Sequence, residues 1–219
     1  MLRGDIVVVD YQKGNLQSVV RSVNAVGGSA FASSDPADIA AASAVILPGV
    51  GSFEDAMASL KASGQADAIV ETIAKGTPFL GICLGLQVLF TRGAEHAAAS
   101  SFGGEWVPGL GVLRGSVTRL ESDRLKVPHV GWDQAHLTEH GRRCPLFVDV
   151  PDGANLYFTH SFALADDVDA DVVATRTHYA RSFASAVWRD NVFGVQFHPE
   201  KSSRVGLALL GNFVNVARG

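Results

Sequence analysis

The sequence predicts an α/β fold with a central, mostly parallel sheet, helices on both faces and additional antiparallel strands. In the first half, apolar β-branched segments alternate with amphipathic ones, the pattern of strands joined by crossover helices. After residue 110 the texture changes to short β-rich segments separated by turn residues, as in antiparallel pairing. The 219 residues, 47% hydrophobic and 18% charged, are enough for a sizeable core and are neither disordered nor fibrous in composition.

In chain order, DIVVVD (5–10) reads as a buried strand, β-branched on both parities. Leu16, Val19, Val20 and Val23 form an amphipathic stripe that Gly27-Gly28 would close. A short strand near 30–32, a helix after Asp35-Pro36, a strand AVILPG (44–49), a helix around 66–75 and a strand TPFLGI (77–82) follow. The segments GVLRGSVTRL, KVPHVGW, LFVDV, NLYFTHSFAL and VVATRTHYA read as short antiparallel strands. Residues 182–200 read as a hairpin about Arg189-Asp190-Asn191, and 205–217 as a closing helix with Val205, Leu209, Leu210 and Phe213 on one face. The loop from 91 to 109 is the main irregular region, and no linker divides the chain.

Eighteen basic and 22 acidic residues leave a net charge of −4, without the basic excess that a phosphate backbone attracts, so nucleic acid is excluded as a partner. The longest apolar stretch (78–90) is shorter than the ~18 residues of a membrane span and is broken by glycines and Gln87. The opening MLRGDIVVVD fits a first strand rather than a secretory signal, giving a cytoplasmic expectation. Cys83 and Cys144 are the only cysteines, too few for a disulfide scaffold and without metal-ligand spacing.

The strongest chemical signal is GICLGLQ (81–87), a Gly-x-Cys-x-Gly set between an apolar strand and a helix carrying Leu86, Leu89 and Phe90. It matches a nucleophile elbow with sulfur in place of oxygen. Gly81 and Gly85 permit close backbone approach, and the adjoining helix N-terminus favours thiolate over thiol. The Leu84 amide is placed to receive an oxyanion. A buried structural cysteine remains the other reading.

In GVQFHPEKS (194–202) a strand ends at His198-Pro199-Glu200, and residues i and i+2 of an extended chain share a side. His198 can serve as base and acid, with Glu200 fixing its tautomer; alone, the pair could equally be surface residues at a strand end. LPGVGSFEDAM (47–57) runs from a strand into a glycine-bracketed loop. Glu54 stands where a dinucleotide loop needs glycine, which disfavours phosphate binding. The loop can instead present amides to developing negative charge, or be an ordinary βα turn.

Together PGVGSFEDAM, GICLGLQ, YFTHSF (157–162) and GVQFHPEKS resemble the class I glutamine amidotransferases, over essentially the whole chain. DYQKGNLQSV, PGLGVLRG (108–115) and KVPHVGWD (126–133) are similar to the branch of glutaminase subunits that serve imidazole glycerol phosphate synthases in histidine biosynthesis. The resemblance implies a flavodoxin-like amidotransferase fold and a single domain over 1–219. It implies that Cys83 attacks the side-chain amide carbon of L-glutamine, His198 protonates departing ammonia and activates water, and Glu200 orients His198. Leu84, Val50 and Gly51 would supply oxyanion amides, while Gln87, Glu95, Ser161 and Phe162 would hold the substrate, Glu95 at the α-ammonium. Gln12, Asn15 and Lys201 are candidates for a face on which the cyclase subunit docks to form a heterodimer. No cofactor and no metal are implied. A glutaminase feeding ammonia to another synthase, such as one making aminated sugars or pyridoxal phosphate, is the alternative. The family has DYGxGN and GWN where this chain has Gln12 and Asp133.

His136-Leu-Thr-Glu139-His140 spells the H-x-x-E-H of some zinc peptidases, but its flanks offer little helix and no third ligand. A catalytically silent binding protein is the other rival, argued against by the intact Cys83, His198 and Glu200. His96, His129 and His178 read as surface or core positions, Trp132 as packing, and Cys144 as inert.

Overall fold

The computed structural model describes residues 5–12, 15–98, 100 and 103–219; Lys13 and Gly14 of the DYQKGN motif lie outside them. The chain opens β1 (Asp5–Val9), α1 (Leu16–Ala25), β2 (Ser29–Ser33), α2 (Pro36–Ala41), β3 (Ala44–Gly49), α3 (Phe53–Ala62), α4 (Gln65–Ala74), β4 (Phe79–Cys83) and α5 (Leu84–Gln87). It continues through β5 (Phe90–Gly93), β6 (Val107–Pro108), β7 (Leu113–Arg119), β8 (His129–Leu137), β9 (Ala154–His160), β10 (Phe162–Leu164), β11 (Val173–Tyr179), β12 (Arg181–Arg189), β13 (Val192–Val195) and α6 (Ser203–Arg218).

The main sheet runs β2-β1-β3-β4-β13-β12-β11-β8-β9. From β2 to β13 neighbouring strands are parallel, and from β13 onward they are antiparallel. The predicted sheet, parallel first and antiparallel after, is therefore the observed one. Alternation places Val7, Val9, Val45 and Leu47 on one face with Ile39, Leu60 and Ile69 of the helices. Ile6, Val8, Ala44 and Ile46 face Val19, Leu209 and Phe213 on the other. Helices thus cover both sides of the parallel half, as β-branched residues on both parities require. A second sheet, β10-β7-β5-β6, is paired separately from the first, and Arg181 of β12 bonds across to Thr118 of β7 and Leu164 of β10. Among the described residues no helix is long and apolar enough to cross a membrane.

Four local readings are corrected. The helix after Cys83 is a single turn, and Phe90 begins a strand that pairs with β7, so there is no long macrodipole behind the sulfur. LFVDV is not a strand: Pro145–Phe147 form a 3-10 turn, Asp149 adopts φ 58°, and Asn212 of α6 holds the carbonyls of Leu146 and Val148. The region 91–109 is less irregular than expected, since it contains most of β5 and all of β6. Helix α3 was hidden in the glycine-bracketed loop, although Ser52 Oγ caps the Asp55 N–H at 3.2 Å with acidic residues in the first turn.

Candidate active site

The C-terminal ends of β3, β4 and β13 bring the site together. Cys83 closes β4 at φ 55°, ψ −108°, a left-handed conformation unusual outside glycine. The flanking glycines permit this turn. A Cβ at Gly85 would collide with the Leu47 carbonyl oxygen of β3, and one at Gly81 with the Gly85 carbonyl. The chain can therefore double back only where both side chains are absent. Leu84 is the first residue of the one-turn helix, where an N–H has no intrahelical acceptor.

Gln196, fully buried, donates from Nε2 to Cys83 Sγ at 3.5 Å, and its Oε1 accepts from Gln87 Nε2 at 3.0 Å. The same Gln87 nitrogen donates to the Phe162 carbonyl at 2.8 Å. The Thr159 carbonyl stands 3.9 Å from the sulfur. His198, 3% exposed, places Nδ1 2.9 Å from Glu200 Oε1, and its buried Nε2 has no hydrogen-bond partner among the described residues. Burial disfavours the imidazolium, but Cys83 and Glu200 together outweigh it and hold the His198 pKa up at about 9. The contact to Glu200 is made from the residue that precedes a 3-10 turn over Pro199–Lys201, which begins four residues beyond β13, rather than along one continuous strand.

A cleft of about 300 Å³ opens beside the sulfur, lined by Val50, Gly51, Cys83, Leu84, Gln87, Glu95, Pro128, Thr159, His160, Ser161 and Phe162. All the residues expected at the oxyanion and substrate positions meet here. His198 is close enough to the sulfur for Cys83 to raise its proton affinity, and Glu200 holds its Nδ1. Gly51 adopts φ 99° in the loop after β3, and Val50 is 42% exposed. Glu95 accepts from the Phe53 N–H at 3.2 Å, and burial raises its pKa against that bond and Arg119. Its loop is tied to α3 by Glu54, which accepts from the Ala97 N–H at 2.9 Å and from Ser100 Oγ at 2.8 Å.

The expected docking residues lie on the surface. Gln12 is exposed at φ 67°, exposed Asn15 is the N-cap residue before α1, and the Lys201 ammonium stands 5.8 Å from the Tyr157 ring centre. Trp132 is not core packing. It is 54% exposed, because period-two alternation along β8 turns Val130, Trp132 and Gln134 outward, and it meets Tyr157 edge to face. Of the zinc-like motif, His136 sits on β8, whereas His140 stacks on Trp188 and binds its carbonyl. Cys144 is buried, which pushes its thiol up to about 12. Sequence reasoning missed Gln196, Thr159, His160 and Pro128 as site neighbours. All four lie inside motifs already conspicuous for other residues.

A thiol on a strand-to-helix elbow, backed by a buried imidazole and carboxylate and opening on a cleft with polar walls, is equipment for acyl transfer. The glutamine amidotransferase class-I family matches residues 7–216, and the chain belongs to that family of enzymes. At the level of particular proteins, it is 45% identical over 214 residues to the imidazole glycerol phosphate synthase subunit HisH of Syntrophotalea carbinolica, covering 95% of this chain and 98% of the relative. To the subunit of the same name from Chloroflexus aurantiacus it is 44% identical, covering 95% and 94%. The crystal structure of a glutamine amidotransferase shares the fold at a TM-score of 0.71, covering 97% of this chain and 99% of that one at 17% identity.

Proposed function

We propose that the chain, a single amidotransferase domain over 1–219, is the glutaminase subunit of an imidazole glycerol phosphate synthase in histidine biosynthesis. It hydrolyses L-glutamine to glutamate and ammonia, which a cyclase subunit consumes. The observation that carries the chemistry is Cys83 on a strained elbow, with the Gln196 amide at its sulfur and with His198, whose proton affinity Cys83 raises, held by Glu200.

Cys83 Sγ attacks the amide carbon. His198 gives its proton to the leaving nitrogen, ammonia departs, and a thioester remains. Water, deprotonated by His198, then attacks the thioester, glutamate leaves and the sulfur is restored. Splitting the amide hydrolysis in this way replaces one difficult step by two easier ones. Leu84 N–H and an amide of the Val50-Gly51 loop stabilise the oxyanion in both steps. Glu95 holds the substrate α-ammonium while Gln87, Ser161 and Phe162 shape the wall. The protein works in the cytoplasm without metal or cofactor.

The cyclase docks on the face carrying Gln12, Asn15 and Lys201. Exposed Trp132, which meets half-buried Tyr157 with Lys201 over its ring, supports this placement, because large aromatics next to a cation are favoured anchors for a partner. The test mixes the purified chain with the cognate cyclase and its ribonucleotide ligand, then follows co-elution and glutamate release. Docking with a ligand-dependent rise in glutaminase rate is expected. Full activity alone, unchanged by the cyclase, contradicts the coupling.

A further inference from the structure

A run of polar groups leads from half-exposed Asp133 to His160 and Phe162 in the cleft lining. Asp133 Oδ2 lies 3.5 Å from His129 Nε2, His129 Nδ1 lies 3.2 Å from His160 Nε2, and His160 Nδ1 lies 2.8 Å from the Phe162 carbonyl. His129 and His160 are directly opposed across β8 and β9. They are 2% and 6% exposed, and the Asp133 side chain is 29% exposed. Asp133 Oδ1 accepts from the Gln134 N–H at 2.8 Å. The Phe162 carbonyl also receives Gln87 Nε2, so the chain ends on the peptide that bounds the glutamine site.

The run has three contacts, each needing a hydrogen. A carboxylate and a carbonyl have none to give, and a neutral imidazole has one. Two neutral rings fill two contacts. The 2.8 Å contact requires a proton on His160 Nδ1, which makes His160 Nε2 an acceptor for the His129 Nδ1–H. The contact left without a hydrogen is Asp133 to His129, and it is the longest of the three.

We infer that Asp133, His129 and His160 form a proton-completed positioning chain: one proton taken from solvent onto His129 Nε2 fills the last contact and locks the Phe162 peptide against the substrate. Geometry favours His129 as the ring that charges. It is stacked between Tyr179 at 3.9 Å and Phe158 at 4.9 Å, whose faces suit a cation. His160 stays neutral, since burial together with His129, His198 and Arg181 holds it down at about 3. Burial lowers His129 below the ordinary histidine range and Asp133 works against that. The Tyr179 ring stacks on His129, and its hydroxyl donates to the Lys126 carbonyl.

The inference rests on reading the cleft as a glutamine site, and its test has an arm free of that reading. Asp133→Asn puts an amide N–H on His129 Nε2 and completes the chain without added charge; Asp133→Ala leaves it open at every pH. Titration of the His129 ring by NMR should show proton affinity about tenfold lower in Asp133→Ala than in the native protein, one pKa unit being 1.36 kcal/mol. In parallel, KM for glutamine should rise several-fold in the native protein as His129 loses its proton. It should stay low at all pH in Asp133→Asn and high in Asp133→Ala, with kcat moving less. Equal His129 titration in the native protein and Asp133→Ala overturns the chain. A correct titration with KM profiles identical in all three proteins overturns its positioning role. Absence of any glutamine hydrolysis would instead sink the reading of the cleft.

Discussion

Gln87 Nε2 stands 3.0 Å from Gln196 Oε1, and that contact turns the other end of the Gln196 amide to Cys83 Sγ. Two buried amides on different elements thus present a donor to the nucleophile while one of them also braces the Phe162 carbonyl. Replacing Gln196 by Leu removes a donor to sulfur, a bond worth roughly 1.5–3 kcal/mol if the sulfur carries charge. The expected outcome is a roughly 10- to 100-fold loss in kcat/KM and slower alkylation of Cys83 by iodoacetamide at about pH 7. Unchanged alkylation would remove Gln196 from the account.

His198 keeps its proton to about 9, so it can act as the acid for departing ammonia across neutral pH. The kcat/KM profile should fall on its alkaline side near 9. In Glu200→Gln that limb moves to lower pH, and activity drops by roughly 10²-fold, within the range of general acid-base contributions, while more survives than in His198→Ala. The linkage to stability has a definite sign. A pKa raised above the unfolded value makes the ion pair stabilise the fold fully below about 6.5. That contribution disappears as pH rises through about 9, and it should be visible in melting temperatures of native protein against Glu200→Gln.

Gly85→Ala tests the elbow as a piece of backbone. The added methyl meets the Leu47 carbonyl oxygen rather than the end of a flexible side chain, so β3 or the turn must shift. A loss near the upper end of the ~1–3 kcal/mol seen for overpacking is expected, which for this chain length is a melting temperature lower by roughly 6–12 °C. Gly76→Ala is the control for open space, since no atom of the described residues lies within 4 Å of a Cβ there, and its φ of 88° supplies only backbone strain.

Glu95 is half-buried in the lining of the cleft, with its pKa raised by burial. Glu95→Gln keeps the shape and loses the charge offered to an α-ammonium. KM for glutamine should rise on the order of tenfold or more, as expected for a charge-assisted hydrogen bond, with a smaller change in kcat. A fall in kcat at constant KM would assign Glu95 to the chemistry instead.

The parts of this architecture written in local pattern were legible, and those made by distant contacts were not. Residues 44–49 are apolar on both parities and form β3 with both faces covered. The Gly-x-Cys-x-Gly spacing is legible because only glycine fits beside Leu47 and Leu86. The helix after Cys83 was overread, since Leu86, Leu89 and Phe90 satisfy a helical stripe although Phe90 is claimed by pairing with Leu113. LFVDV has strand composition, yet Pro145 and the bonds from Asn212 close it into a turn. Gln196 reaches Cys83 across 113 positions, a relation no local pattern contains.

The central claim is that Cys83 only generates ammonia for a synthase partner, and one comparison tests it most directly. Cyclase product is measured in the complex containing Cys83→Ala, once with glutamine and once with an ammonium salt as nitrogen source. The account predicts that glutamine-dependent synthesis is abolished while ammonium-dependent synthesis remains near the native level. Near-native glutamine-dependent synthesis in Cys83→Ala would contradict it.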